Sequence, residues 1–127
     1  AGATTDFTPL SGTNWSNVDD ATPDDDTTYV QSTALNNKDT YTFTNLPANV
    51  TLVKGVMINC WAEKTEAGAR NVALVARSAG IEALSADKTL TSAYYDHQAM
   101  QATDPNTAAA WAPSAVDAAE FGQKVTV

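Results

Sequence analysis

The stretch VTLVKGVMINCWAEK, residues 50–64, decides the fold of this chain. Its even-numbered positions are nearly all apolar, whereas its odd-numbered positions mix apolar and polar side chains. A period of two is typical of a β-strand that buries one face. Val53, Met57 and Trp61 also have helical spacing, but the β-branched residues and Gly55 disfavour a helix. We therefore predict a long central strand over residues 50–64.

Shorter strand candidates flank this stretch and are separated by turn-forming residues. The clearest is residues 40–46, in which Tyr41 and Phe43 alternate with threonines. Further strands are predicted at 27–34, 70–78, 90–101 and 120–127, a helical turn at 113–119, turns at 36–39 and 104–107, and a hairpin-like connection at 66–69. Six or seven short strands indicate two packed sheets. The sequence thus predicts an all-β, jelly-roll-like antiparallel β-sandwich over residues 27–127, preceded by an irregular N-terminal arm, residues 1–26.

The composition fits one globular domain and disfavours several classes of partner. The 127 residues include seven Lys and Arg against fifteen Asp and Glu, which gives a net charge of −8. This charge repels phosphate groups, so we expect no nucleic acid and no anionic membrane surface as a partner. No apolar run approaches the roughly 20 residues of a spanning helix, and residues 1–10 do not resemble a signal peptide.

The sequence points to no catalytic residue and no cofactor. The single cysteine, Cys60, lies in the central strand in phase with Val56 and Ile58, so we expect a small buried apolar side chain. The single histidine, His97, is expected to be a polar surface or hydrogen-bonded residue. One Cys and one His on separate strands make a poor transition-metal site. The chain also lacks the common nucleophile, phosphate-loop and zinc motifs, so we expect it not to be an enzyme.

Five aspartates form the most charged segment of the chain. They are Asp19, Asp20, Asp24, Asp25 and Asp26. Clustered carboxylates can bind Ca²⁺, but this spacing does not match a calcium-loop template. The alternatives are a solvated acidic turn, a Ca²⁺ site or a subunit contact.

Aromatic and apolar side chains suggest an interface. The odd-numbered face of the central strand carries Val53, Met57 and Trp61, which would form an exposed apolar patch unless covered. Few Lys and Arg protect the strand edges, which favours a closed homo-oligomer. The aromatic residues are expected in the core or at interfaces, with a sugar-stacking platform as the alternative; those considered are Trp15, Trp61, Trp111, Tyr94 and Tyr95.

Four segments resemble a family of small tailed-phage virion structural proteins. WSNVDDATPDDDTTYV (15–30) and TDPNTAAAWAPSAVDAAEFGQKVTV (103–127) resemble its opening and ending motifs. KDTYTFTNLP (38–47) and AEKTEAGARNVALVARSAG (62–80) resemble its middle segments, in the same order. The family includes head decoration, head fibre and tail-associated proteins with a jelly-roll-like fold. One departure is the run of alanines at 108–110, where the family has Gly and bulkier residues before the tryptophan at the position of Trp111.

The resemblance implies a function on the virion. It implies a capsid decoration (cement) protein on the outside of the head, a homotrimer that also contacts the major capsid protein or another virion protein. The N-terminal arm would then reach a neighbouring subunit or the shell. The alternative is a head-fibre, tail or receptor-binding module that recognises host glycan through Tyr94, Tyr95 or Trp111. A glycan hydrolase is a third hypothesis, for which no carboxylate pair stands out.

Overall fold

The computed structural model describes residues 2–127, and these form an antiparallel β-sandwich. Its elements are β1 (Thr8–Pro9), a 3-10 turn (Trp15–Asn17), β2 (Val30–Gln31), β3 (Lys38–Tyr41), β4 (Val56–Ala62), β5 (Asn71–Ser78), β6 (Ile81–Leu84), β7 (Lys88–Thr89), β8 (Tyr95–Gln101), α1 (Pro113–Ala118) and β9 (Glu120–Val125). All pairs between these strands are antiparallel. The predicted fold class, an all-β antiparallel sandwich, is confirmed.

Two sheets enclose the core. The larger has the order β3-β9-β5-β6, with β7 also paired to β5, and the smaller consists of β4 and β8. Ile58 of β4 packs against Leu74 of β5, Phe121 of β9 and Trp111. Trp111 is 2% exposed and is part of this core. Strands β1 and β2 form a separate small ribbon.

The central strand has the predicted phase but a shorter length. Ile58 is buried, and Val56 and Cys60 pack against the same core. The strand begins only at Val56, so the prediction for residues 50–55 was wrong. The backbone N–H of Val50 donates to the carbonyl of Pro47 at 3.0 Å, so Val50 closes a turn where the sequence predicted the start of the strand.

Several other boundaries also differ from the sequence predictions. The strand predicted at 27–34 is reduced to Val30–Gln31, and the one at 40–46 ends at Tyr41, with Phe43 64% exposed. Residues 66–69 connect strands of different sheets, so they do not form a hairpin. The hairpin between β5 and β6 was missed. It turns on Ala79 and Gly80, which both have positive φ, 48° and 88°, as two-residue hairpins require.

The N-terminal arm is hydrogen-bonded to the edge of the larger sheet. The N–H of Gly2 donates to the Thr40 carbonyl at 2.8 Å, and the N–H of Thr40 donates to the Thr4 carbonyl at 3.0 Å. These contacts bury Thr40 completely, although the alternation of 40–46 had placed it on an outer, solvated face. The arm therefore covers an edge that would otherwise be open.

Candidate functional site

The outer face of the two-stranded sheet carries a larger number of exposed apolar side chains than any other strand pair. Met57 of β4 lies directly opposite Met100 of β8, and Trp61 lies opposite Asp96. Met57 is 49% exposed, Met100 is 59% exposed and Trp61 is 44% exposed. Within residues 2–127, β4 and β8 pair only with each other, so each strand has one edge without a partner strand. This face is the strongest candidate for a contact surface.

The predicted interface residues do not form one patch. Val53 packs against the core cluster and is partly buried. Met57 and Trp61 both lie on the outer face, two positions on either side of Asn59. Sequence reasoning missed Met100, since its pairing with Met57 depends on the register between two strands that are distant in sequence.

Trp61 is held in place by a stacked neighbour and by the acidic segment. Its ring lies parallel to that of Tyr94, with 4° between the planes and 6.2 Å between the centroids. The indole N–H donates to Oδ1 of Asp25 at 2.8 Å, and the Tyr94 hydroxyl donates to Oδ1 of Asp26 at 3.1 Å. Burial and the bond to Asp26 raise the pKa of Tyr94 above its ordinary value. The two rings therefore have little freedom to move.

The remaining aspartates of this segment bind the chain itself or face solvent. Asp24 accepts bonds from the backbone N–H of Thr28 at 3.2 Å and from its hydroxyl at 3.0 Å. The same hydroxyl lies 2.9 Å from Oδ2 of Asp20, so its single proton is shared between the two carboxylates, while Asp19 is exposed. In the described part of the chain, no three His, Cys, Asp or Glu side chains converge as a metal site. The segment acts as an intramolecular contact on the β4–β8 sheet.

Cys60 and His97 lie opposite each other on the inner face of the two-stranded sheet. Burial, with a smaller effect of Asp96, raises the pKa of the Cys60 thiol to about 11, which disfavours the reactive thiolate. His97 is 7% exposed, and its Nε2 atom has no hydrogen-bond partner among residues 2–127. The expectation of a surface or hydrogen-bonded histidine was wrong for this nitrogen, because Nε2 is buried and has no partner in the described part of the chain. Burial and the nearby Lys88 lower the pKa of His97.

The two other tryptophans do not belong to this sheet face: Trp111 lies in the core and Trp15 in the N-terminal arm. Trp111 is buried, packs against Phe121 with centroids 6.0 Å apart, and donates its indole N–H to the Gln101 carbonyl at 3.1 Å. It therefore has no ring face free for a glycan. Trp15 begins the 3-10 turn of the arm and is 50% exposed.

A shallow cleft of about 580 Å³ lies beside β8. It is lined by Trp61, Lys88, Tyr95, Asp96, His97 and Gln98. Four of these residues are consecutive along β8 and point alternately to both sides of the strand. The cleft therefore runs along the edge of β8 and has contributions from both faces of the strand.

No family model, curated protein or solved structure matches this chain. Among residues 2–127, no helix has the length and apolar character needed to cross a membrane.

Proposed function

We propose that this chain is a non-enzymatic structural subunit of a tailed-phage virion, a capsid decoration (cement) protein on the outside of the head. In this role it forms a homotrimer and contacts the major capsid protein or another virion protein. The proposal starts from the resemblance of residues 15–30, 38–47, 62–80 and 103–127 to virion proteins.

The observation that carries the proposal is the exposed Met57–Met100 pair beside two open strand edges. Burying apolar surface contributes about 25 cal/mol per Å², so two half-exposed methionines favour association when a partner covers them. Methionine side chains are flexible and adapt to irregular contact surfaces. A closed oligomer or a shell contact would cover this face on every copy.

The motif residues that resemble the virion family have architectural positions, which supports a structural role. Oδ1 of Asp104 accepts the N–H of Asn106 at 2.9 Å and so stabilises the turn. Trp111 is buried in the core. Gly122 lies against β3, where an added Cβ would come within 1.9 Å of the Asp39 carbonyl oxygen. These residues stabilise the sandwich that presents the outer face.

A rebinding experiment tests the proposal. Purified chain is added to phage particles assembled without it, and bound protein is counted after the particles are pelleted. We expect saturable binding by the natural chain, weakened when Met57→Ser and Met100→Ser are combined. Leu52→Ser, which changes an apolar residue that is 65% exposed outside this sheet, is the matched control. Failure of the natural chain to bind such particles would contradict the proposal.

A further inference from the structure

The cleft beside β8 has the shape of a groove for an added strand. Its lining includes four consecutive residues of β8, of which Asp96 and Gln98 lie on the outer face of the sheet and Tyr95 and His97 on the inner face. A strand added at this edge also has side chains on both faces, because its residues alternate as those of β8 do. The cleft therefore suits an extended segment of protein that pairs with the edge of β8.

The backbone of β8 has unused hydrogen-bonding groups along this edge. Within an antiparallel pair, alternate residues direct their N–H and C=O groups to the partner strand, and the others direct theirs away from it. Among residues 2–127, no backbone group of residues 95–100 bonds to a segment other than β4. The outward groups can therefore form a second ladder, and an open edge of this kind favours pairing with another strand.

The chain itself contains a strand whose side chains complement those of β8. Met57 of β4 lies opposite Met100 of β8, and Asn59 lies opposite Gln98. The other edge of β4 is also open, since no backbone group of residues 56–62 bonds to a described segment other than β8. Each copy therefore carries two open edges in one small sheet, and the strands at those edges already match in sequence.

The charge of the two strands favours a second copy as the partner. The chain has a net charge of −8, so two copies repel each other over most of their surface. Asp96 is the only Asp, Glu, Lys or Arg residue in β4 and β8. The outer face of this sheet is instead apolar at Met57 and Met100, which are 49% and 59% exposed. Contact between copies therefore meets less repulsion here than at the acidic surface.

We propose that β8 of one copy pairs, antiparallel, with the open edge of β4 of the next copy. This contact rests on the proposed homotrimer and names the strands that form it. It is a head-to-tail contact, so every edge is filled only when the copies close a ring. In a ring of three copies, each β4 and each β8 has a partner strand on both sides.

Side-chain chemistry selects the register of the contact. Outer-face residues must lie beside outer-face residues, which excludes a shift by one residue. A shift by two residues in one direction places Glu63 opposite Asp96, and like charges directly opposite destabilise a strand pair. The same shift in the other direction separates the methionines. The register of the chain's own pair is therefore repeated, with Met57 of one copy opposite Met100 of the next.

Disulfide cross-linking between two single-cysteine variants tests this pairing. One variant carries Asn59→Cys and the other Gln98→Cys, at two exposed positions, and both carry Cys60→Ala so that each chain has one thiol. Residues directly opposite across antiparallel strands have Cα atoms about 4.5–5.5 Å apart, within the range that a disulfide spans. The two variants are produced in the same cells, purified together and oxidised. Because neither chain has both thiols, every disulfide joins two copies.

We expect disulfides between positions 59 and 98 in up to about half of the chains, since the two variants meet in the required order at about one contact in four of a randomly mixed ring. Each variant alone should not cross-link, because a head-to-tail contact never brings the same position of two copies together. Leu52→Cys in place of Asn59→Cys is the matched control, because Leu52 is 65% exposed and lies outside the sheet. Mass spectrometry of the cross-linked peptides identifies the positions that are joined.

Sedimentation of the same samples separates this contact from the homotrimer itself. If the mixed variants form a trimer but cross-link no more than the Leu52→Cys control, the contact between β8 and β4 is wrong and the homotrimer stands. Disulfides formed by Gln98→Cys alone would also overturn the contact, because they would pair β8 with β8 about a twofold axis. A natural chain that sediments as a monomer would overturn both the homotrimer and the contact.

Discussion

The backbone N–H of Phe7 donates a hydrogen bond of 2.9 Å to Oδ1 of Asp39, a carboxylate that is completely buried. Asn14 and the Tyr41 hydroxyl, the latter at 2.8 Å, donate to its Oδ2 atom. One side chain of β3 therefore binds two points of the N-terminal arm. Because of these bonds, the arm contributes to the stability of the sandwich in addition to any contact it makes with a partner.

Replacing Asp39 should therefore destabilise the whole domain. Asp39→Ala removes the acceptor of one buried donor, the Tyr41 hydroxyl, and of two partly buried donors on Phe7 and Asn14, and we expect the free energy of unfolding to fall by about 3 kcal/mol. Urea denaturation measures the loss. Asp19→Ala, which removes an exposed aspartate of the arm, is the control and should change stability by less than about 0.5 kcal/mol. A similar stability for both variants would show that the arm does not depend on Asp39.

The stability of the domain should depend on pH through His97. Its folded-state pKa lies below the ordinary value of 6.5, because burial and Lys88 disfavour the charged ring. The unfolded chain therefore binds more protons below pH 6.5. Stability should be fully present above pH 6.5 and should be lost as the pH falls through the folded pKa.

Since the chain has one histidine, the assignment is simple to test. Urea unfolding at a series of pH values between about 7.5 and 5 should show this decline. In His97→Gln the decline should vanish over the same range. Asp104 and Glu120 titrate at lower pH: burial acts to raise their pKa values, but hydrogen bonds lower both below the ordinary values. An unchanged slope in the variant would contradict the buried position of His97.

Replacing Ala108 with glycine should increase the stability of the domain. Its φ of +57° lies in the left-handed region, which costs an L-residue with a Cβ about 1–2 kcal/mol. Part of the gain is offset by the greater unfolded-state entropy of Gly. We expect Ala108→Gly to stabilise the domain by about 0.5–1 kcal/mol, measured by thermal denaturation.

A neighbouring alanine provides the control for this effect. Ala110 does not have a positive φ and forms a β-bridge with Thr103. Ala110→Gly should therefore destabilise the domain by about 0.5–1 kcal/mol. If both substitutions shift the melting temperature in the same direction, backbone strain at Ala108 is not the cause.

Self-association should depend on the paired methionines. Sedimentation of the isolated chain at micromolar concentration should show a trimer, because Met57 and Met100 present a joint apolar surface on the β4–β8 sheet. The combined Met57→Ser and Met100→Ser variant should sediment as a smaller species, while the Leu52→Ser control keeps the natural distribution. A natural chain that remains monomeric would contradict the homo-oligomer proposal.

Local patterns predicted the sandwich and the phase of its central strand. The alternation of Val56, Ile58 and Cys60 with polar residues reflects one buried and one exposed face, and that period is visible in the sequence. The hairpin at Ala79 and Gly80 escaped notice because Ala is not a usual residue at positive φ. The predicted start of the central strand was wrong because the backbone N–H of Val50 bonds within a turn, to the carbonyl of Pro47, and not to a neighbouring strand.

The arm contacts and the cleft could not be predicted in the same way. Asp39 binds Phe7 and Asn14 across 32 and 25 residues of sequence. The cleft brings together β4, β7 and β8, and its lining depends on how the two sheets lie against each other. Such contacts depend on the packing of the fold, which no periodicity specifies.

The copy number of this chain in purified particles tests the decoration proposal most directly. Quantitative mass spectrometry compares peptides of this chain with peptides of the major capsid protein. A decoration protein should be present in the hundreds per particle, in a fixed ratio to the major capsid protein, since a symmetric shell repeats each site. A handful of copies would place the chain in the tail or in a fibre, and its absence from the particles would contradict a virion role.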